Sequence, residues 1–155
     1  MQALPRIVIA ALSLSAVGFG GIVAYEGYSG VAYTPIPGDV PTIGFGTTEG
    51  VKLGDKITAP KAVARALQDV AQYEGAVKRC VKVPLHQYEY DSLIQLSYNI
   101  GPSNFCGSTL VKKANAGDYA GMCREILRWD HAQGRQVRGL TLRRQAEYKT
   151  CMGPQ

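Results

Sequence analysis

Hydrophobic and polar positions along this chain follow three successive patterns. From Ile7 to Tyr25 no charged residue occurs: IVIAALSLSAVGFGGIVAY, nineteen residues preceded by the lone Arg6 and followed at once by Glu26. As a helix such a run spans roughly 28 Å, close to the thickness of a bilayer's hydrocarbon core. From Glu26 to about Asp55 the chain is rich in Gly, Pro, Thr and Tyr. There Pro37-Gly38-Asp39 marks a turn, and Val40 to Phe45 reads as a strand.

Beyond Asp55 the period becomes helical. Thr58 as N-cap and Pro60 in the first turn open a helix in which Val63, Ala66, Leu67, Val70, Tyr73 and Val77 share a face. A second helix follows Pro84, carries Leu85, Leu93, Leu96 and Ile100, and stops at Gly101-Pro102. Ser108 caps a short helix ending near Gly117, and Asp118 caps another through Trp129. A loop around Gly134 leads to a last helix near Thr141 to Cys151. This order predicts an α+β domain, with a β lobe over about 26–56 and a larger helical lobe over about 57–155. The 155 residues suffice for one buried core.

The apolar segment is long enough to insert in a membrane and too weak to hold firmly. Gly18, Gly20 and Gly21 cluster around Phe19, and Ala10, Ala11, Ser13, Ser15 and Ala16 dilute the Ile, Val and Leu content. Three readings compete: a cleaved signal peptide with Ala24 near the cut, a permanent anchor, and a releasable anchor over residues 1–25. The last accounts for both length and weakness. Arg6 ahead of the segment, with no basic residue soon after it, favours an N-in, C-out topology.

Charge and cysteines add a compartment and a partner class. A formal net charge of +5 and a pI near 9.1 favour anionic partners such as a cell-wall polymer or a membrane surface. No Lys/Arg run exceeds two and no nucleic-acid motif occurs, so nucleic acid is not expected as a partner. Lys78, Arg79, Lys82, Lys112 and Lys113 read as a solvated face. Cys80, Cys106, Cys123 and Cys151 form no C-x-x-C pair, and neither histidine lies near enough for a zinc site, so no metal or cofactor is expected. Behind an export-type N-terminus they read as one or two disulfides, against four buried thiols as the alternative. The sequence leaves the pairing open, with a lean to Cys80–Cys106 and Cys123–Cys151. An oxidising compartment, periplasmic or extracellular, follows from the disulfide reading.

The candidate chemistry lies in Glu26, Asp39 and Thr42. Glycoside hydrolysis uses a protonated carboxyl to assist the leaving group and a second group across the sugar. At the lip of an apolar segment Glu26 is partly desolvated, which favours its protonated form. Asp39 in a turn stays solvated and ionised, and the Thr42 hydroxyl can hold a water. By itself this pattern is weak, because an interface Glu and a turn Asp are common. Tyr98 and Asn99 suit a cleft that takes sugars. His86 and His131 each read as a surface or capping residue, and Trp129 as core.

Several blocks in order carry a resemblance. Glu26-Gly27, Gly30-Val31-Ala32-Tyr33 and Thr42-Ile43-Gly44-Phe45-Gly46 resemble the active-site lobe of the T-even phage lysozymes, family 24 of the glycoside hydrolases. Tyr98-Asn99-Ile100-Gly101 and Gly139-Leu140-x-x-Arg143-Arg144-x-x-Glu147 resemble that family's helical lobe. The similarity runs from Glu26 to about Cys151. It implies a lysozyme-like fold and hydrolysis of the β-1,4 bond between N-acetylmuramic acid and N-acetylglucosamine in peptidoglycan, with inversion.

Residue by residue, the resemblance makes Glu26 the general acid, Thr42 a positioner of the attacking water and Asp39 the nearest second carboxylate. Arg143 matches an arginine that pairs with the acid across the lobes, and Tyr33 and Asn99 become supporting residues. The spacing departs from the family's. Twelve residues separate Glu26 from Asp39 and two separate Asp39 from Thr42, where the family has eight and five, and Pro35 stands at the usual carboxylate offset. Thr47 stands where the T-even enzyme has a histidine, so that histidine's structural ion pair is not expected.

The combined expectation is an endolysin of the signal-anchor-release type, inactive while tethered to the inner membrane through residues 7–25 and then released to the periplasm. No cysteine lies in the segment, so its block is topological rather than a caged thiol. The rivals are a membrane-active lysis protein and a wall-binding module without catalysis.

Overall fold

The computed structural model describes residues 5–154, so residues 1–4 of the expected 1–25 segment and Gln155 lie outside the described residues. The expected single helix over the apolar run is broken. Ile7 bridges to Leu85, Ile9–Ala11 forms a 3-10 turn, and only Ala16–Glu26 is α-helical (α1). Ser13 to Ser15 interrupts the run because polar groups elsewhere satisfy its backbone. The Leu14 N–H donates to Glu74 at 2.8 Å, the Ser15 N–H donates to Asp91 at 3.0 Å, and the Ser15 hydroxyl accepts the Gly18 N–H as N-cap. Among the described residues no helix is long and apolar enough to cross a membrane.

After α1 come two short antiparallel strands, β1 (Ser29–Tyr33) and β2 (Thr42–Gly44), paired Ser29 with Gly44 and Tyr33 with Thr42 around an irregularity. They form the small lobe. The helical lobe holds α2 (Ala59–Cys80), α3 (Gln87–Ile100), α4 (Pro102–Cys106), α5 (Thr109–Asn115), α6 (Tyr119–Ile126) and α7 (Arg138–Met152). Of the predicted caps, Ser108 and Asp118 accept from the N–H groups of Val111 and Gly121, whereas Thr58 precedes α2 without a side-chain cap bond. Pro102 stops α3 but opens α4, since its ring suits a first turn. Gln133-Gly134, both at positive φ, close a hairpin of β3 (His131–Ala132) and β4 (Arg135–Gln136) where the sequence reading has a loop.

α3 is the central helix, buried from Glu89 to Tyr98. Leu93, Ile94 and Leu96 pack with Val77, Phe105, Leu110, Met122 and Ile126, and the N-terminal segment adds Ile9, Leu12 and Ile22 to this same core. The apolar run is thus a structural part of the domain. Disulfides join Cys80 to Cys106 and Cys123 to Cys151, the pairing the sequence reading leans to. The architecture is α+β, a small two-stranded lobe beside a larger helical lobe, as expected.

Candidate active site

Glu26 is the last residue of α1, and what holds its carboxylate comes from the far end of the chain. Gly27 ends the helix at φ +68, a conformation that favours glycine, and its N–H closes on the Val23 carbonyl at 3.2 Å. Released from the helix, the chain enters β1, so Glu26 stands at the junction of the lobes. Its side chain is 19% exposed and accepts from Arg143 Nη1 at 3.0 Å, across 117 residues of sequence.

Arg143 is itself fixed. Its Nε donates to Glu147 at 2.9 Å, and its guanidinium lies 5.0 Å from the centre of the Tyr25 ring. Glu147 is also paired with Arg144, which donates further to the Asn99 side chain and, at 3.0 Å, to the Trp129 carbonyl. Burial raises the Glu147 carboxyl above its ordinary range and lowers the Arg144 guanidinium, because a low-dielectric surrounding opposes either charge. Both Glu147 oxygens face arginine N–H groups, which have no acceptor to offer a carboxylic proton.

The opposite wall comes from the β lobe. Gly46, at φ +89, comes so near that a Cβ there would stand 3.3 Å from Glu26 Oε2 and 3.6 Å from Tyr98. A side chain at 46 would crowd the carboxylate, which gives the second glycine of the Gly44-Phe45-Gly46 block a physical role. Tyr98 donates to the Phe45 carbonyl at 2.8 Å and packs on Tyr73, ring centres 4.7 Å apart. Burial raises both phenols, so they stay neutral. Thr47 donates to Asp69 on α2, so a hydroxyl-to-carboxylate bond joins turn and helix at the position where the resemblance has a histidine.

An open cavity of about 330 Å³ runs along this junction, lined by Glu26, Gly27, Tyr28, Ser29 and Tyr33. Thr42 is buried at the head of β2, opposite Tyr33, and donates to the Val40 carbonyl at 3.3 Å, which leaves its hydroxyl lone pairs free to accept. Asp39 is exposed in a turn whose N–H bonds the Ile36 carbonyl at 2.9 Å. Its carboxylate accepts no hydrogen bond among the described residues, and it lies outside the residues that line the Glu26 cavity.

Of the sequence-predicted set, the fold brings Glu26 to Arg143, links Asn99 to them through Arg144 and Glu147, and places Tyr33 on the Glu26 cavity. Among the described residues no hydrogen bond or ion pair joins Asp39 or Thr42 to this group, and neither lines the Glu26 cavity. Glu147, Arg144 and Gly46 are absent from the predicted site residues. The signal for the first two is Arg-Arg-x-x-Glu, whose i,i+3 and i,i+4 spacing pairs them on one helix face. His86 caps α3 and His131 pairs with Asp130 at 2.6 Å, as a capping and a surface residue. Trp129 packs against the core.

Residues 23–147 match the family described as phage lysozyme. Over 140 residues the chain is 39% identical to an endolysin of Acyrthosiphon pisum secondary endosymbiont phage 1, covering 88% of this chain and 95% of the relative. It is also 39% identical over 144 residues to a SAR-endolysin of Pseudomonas phage phiKMV, covering 90% and 88%. Among solved structures, the muramidase domain of SpmX from Asticaccaulis excentricus superposes with a TM-score of 0.85 at 27% identity, covering 92% of this chain and 99% of that one.

Proposed function

The chain belongs to the phage lysozyme family, and from that premise we propose that Glu26 is its proton donor, brought into place when residues 7–25 leave the membrane and dock on the domain. The protein is a phage endolysin, a muramidase that hydrolyses peptidoglycan for host-cell lysis. Our finer reading places it in the T-even type of family 24, with residues 26–155 as the catalytic domain.

In the reaction we assign, the protonated Glu26 gives its proton to the glycosidic oxygen as the bond from that oxygen to C1 of N-acetylmuramic acid breaks. Water adds to C1 from the opposite face and yields its proton to Asp39, with Thr42 accepting a hydrogen bond from the water. One water is consumed, one C–O bond is exchanged for another, and configuration inverts. Arg143 orients the Glu26 carboxyl, and Tyr33 and Asn99 support the cleft.

The observation that supports the switch is Glu26's place at the end of α1. Its helix buries Ile22 in the domain core, and its partner Arg143 sits on the last helix. A bilayer-inserted segment cannot make both contacts, so tethering keeps the site incomplete. The SAR-endolysin relatives carry the same idea in their name, signal-anchor-release. On this reading the chain is held N-in, C-out at the inner membrane and then freed into the periplasm.

Purified released enzyme with Glu26→Gln, assayed for new reducing ends from peptidoglycan, tests the chemistry. We expect loss of at least about 10²-fold. Full hydrolysis by that variant refutes the assignment of Glu26. Asp39→Asn, measured alongside, decides whether this carboxylate takes the water's proton or only forms the turn.

A further inference from the structure

A carboxylate buried behind the site has a task that the proposed chemistry leaves unassigned. Glu147 is 1% exposed, and each of its oxygens takes an N–H from a different arginine. One of those arginines, Arg143, presents its next nitrogen to Glu26. The remaining nitrogen, Nη2, is buried without a hydrogen-bond partner among the described residues, so Nε and Nη1 carry the hydrogen bonds that set the guanidinium's orientation. In charge terms two arginines and two carboxylates balance. Without Glu147, two guanidinium charges would face Glu26 alone.

We propose that Glu147 is a positioning residue for Glu26: it fixes Arg143 in the orientation that meets the Glu26 carboxyl, and it supplies the buried counter-charge to the two arginines behind that carboxyl. This rests on the assignment of Glu26 as proton donor. A proton donor beside an arginine is under constant pull to ionise, since an opposite charge within a few ångströms stabilises the charged form. A buried counter-charge relieves that pull while leaving the hydrogen bond that orients the acid. The rest of the surroundings supplies no substitute. On α2, Asp69 is engaged by Thr47 and Tyr73 is a neutral phenol. On α3, Tyr98 is neutral, and Asp91, which shares a cavity of about 200 Å³ with Glu147, is engaged by Ser15. On α1 itself the Tyr25 ring lies against the Arg143 guanidinium.

The experiment follows hydrolysis of purified peptidoglycan by the released enzyme from pH 4 to 9 at constant ionic strength. Glu147→Gln leaves two arginines against one carboxylate, so the alkaline limb of the profile moves to lower pH, by about one unit. Arg144→Gln removes a positive charge instead, so the limb moves up. Opposite movements support the proposal, whereas lower rates with both limbs unmoved leave only a packing role and overturn it. Should Glu147→Gln not fold, as judged by circular dichroism, Arg144→Gln decides alone: an upward shift supports the proposal and an unmoved limb overturns it. Glu26→Gln separates the two readings. If that variant is active, the proton-donor assignment has failed; if it is inactive and the limbs stay fixed, only the role of Glu147 has failed.

Discussion

An ideal Cβ on Gly21 would stand 2.2 Å from Nε2 of Gln95, so any side chain there would displace the glutamine amide with which α3 meets α1. The same Gln95 amide donates to the Gly18 carbonyl at 3.0 Å, and a Cβ on Gly18 would stand 2.8 Å from Asp91 Cγ. Gly20, between them, meets nothing within 4 Å. In the sequence all three glycines read as one feature, a weakened anchor. In the fold two of them form the face on which α1 meets α3.

Gly21→Ala therefore destabilises by about 1 kcal/mol, since the displaced Gln95 amide gives up the Gly18 carbonyl, and lowers hydrolysis with it. Gly20→Ala stabilises by about 0.5–1 kcal/mol, because alanine loses less backbone freedom in a helix. Thermal unfolding of the two proteins reads both signs. Equal effects would remove the division of labour.

Arg6 reaches Glu89 with two nitrogens, at 2.8 and 3.0 Å, and stacks over the Tyr119 ring at 3.5 Å. Glu89 also accepts the His86 N–H at 2.8 Å as part of the α3 capping box. Glu89→Ala loses cap and ion pair together and costs about 2 kcal/mol, whereas Arg6→Ala costs about 1 kcal/mol, since Arg6 is partly exposed. Urea denaturation of both variants checks the order. Carried on our reading of the anchor, Arg6 makes this contact only after its own passage to the outer side.

Cys123–Cys151 ties α6 to α7, the helix that carries Arg143, Arg144 and Glu147, and Cys80–Cys106 ties α2 to α4. With separations of 28 and 26 residues, chain entropy assigns each bond roughly 3–4 kcal/mol. Cys151→Ser is expected to lower both melting temperature and hydrolysis. Cys80→Ser is expected to lower the melting temperature by a similar amount and to spare hydrolysis at low temperature.

Asp130 holds the β3–β4 hairpin to the start of α7. Its carboxylate accepts from Gln136 at 2.6 Å and Thr141 at 3.0 Å, and these bonds, led by Gln136, hold it below the ordinary aspartate range. A folded-state value below the unfolded one adds stability above the unfolded value and loses it as pH falls through the folded one. The hairpin amides at 131–137 should thus lose exchange protection below about pH 4, and Asp130→Asn should remove that acid step.

The helical lobe is legible in the sequence wherever a local device is strong. Ser108 and Asp118 cap where expected, Gly101-Pro102 ends α3, and α2 forms over the predicted span, although Val63 and Leu67 of its predicted face are exposed and Ala62 and Ala76 are buried instead. The hairpin at Gly134 and the turn of helix at Pro102 are harder to see. Each is only a few residues long and depends on a bond such as Val137 N–H to the Asp130 carbonyl at 2.9 Å.

What the sequence by itself determined is the inventory: a charge-free run ending on a glutamate, a Gly-rich lobe, helices with their caps, and the motif blocks that identify the family. These follow from preferences acting within a few residues. Only the tertiary structure decided how the apolar run is used and what Glu26 meets. A run of apolar residues lowers its free energy in a bilayer or in a protein core alike, and the choice is made by distant partners. Here those partners are Glu74, Asp91 and Gln95 for the backbone, Leu85 for Ile7, and Arg143 for Glu26, each at least sixty residues away.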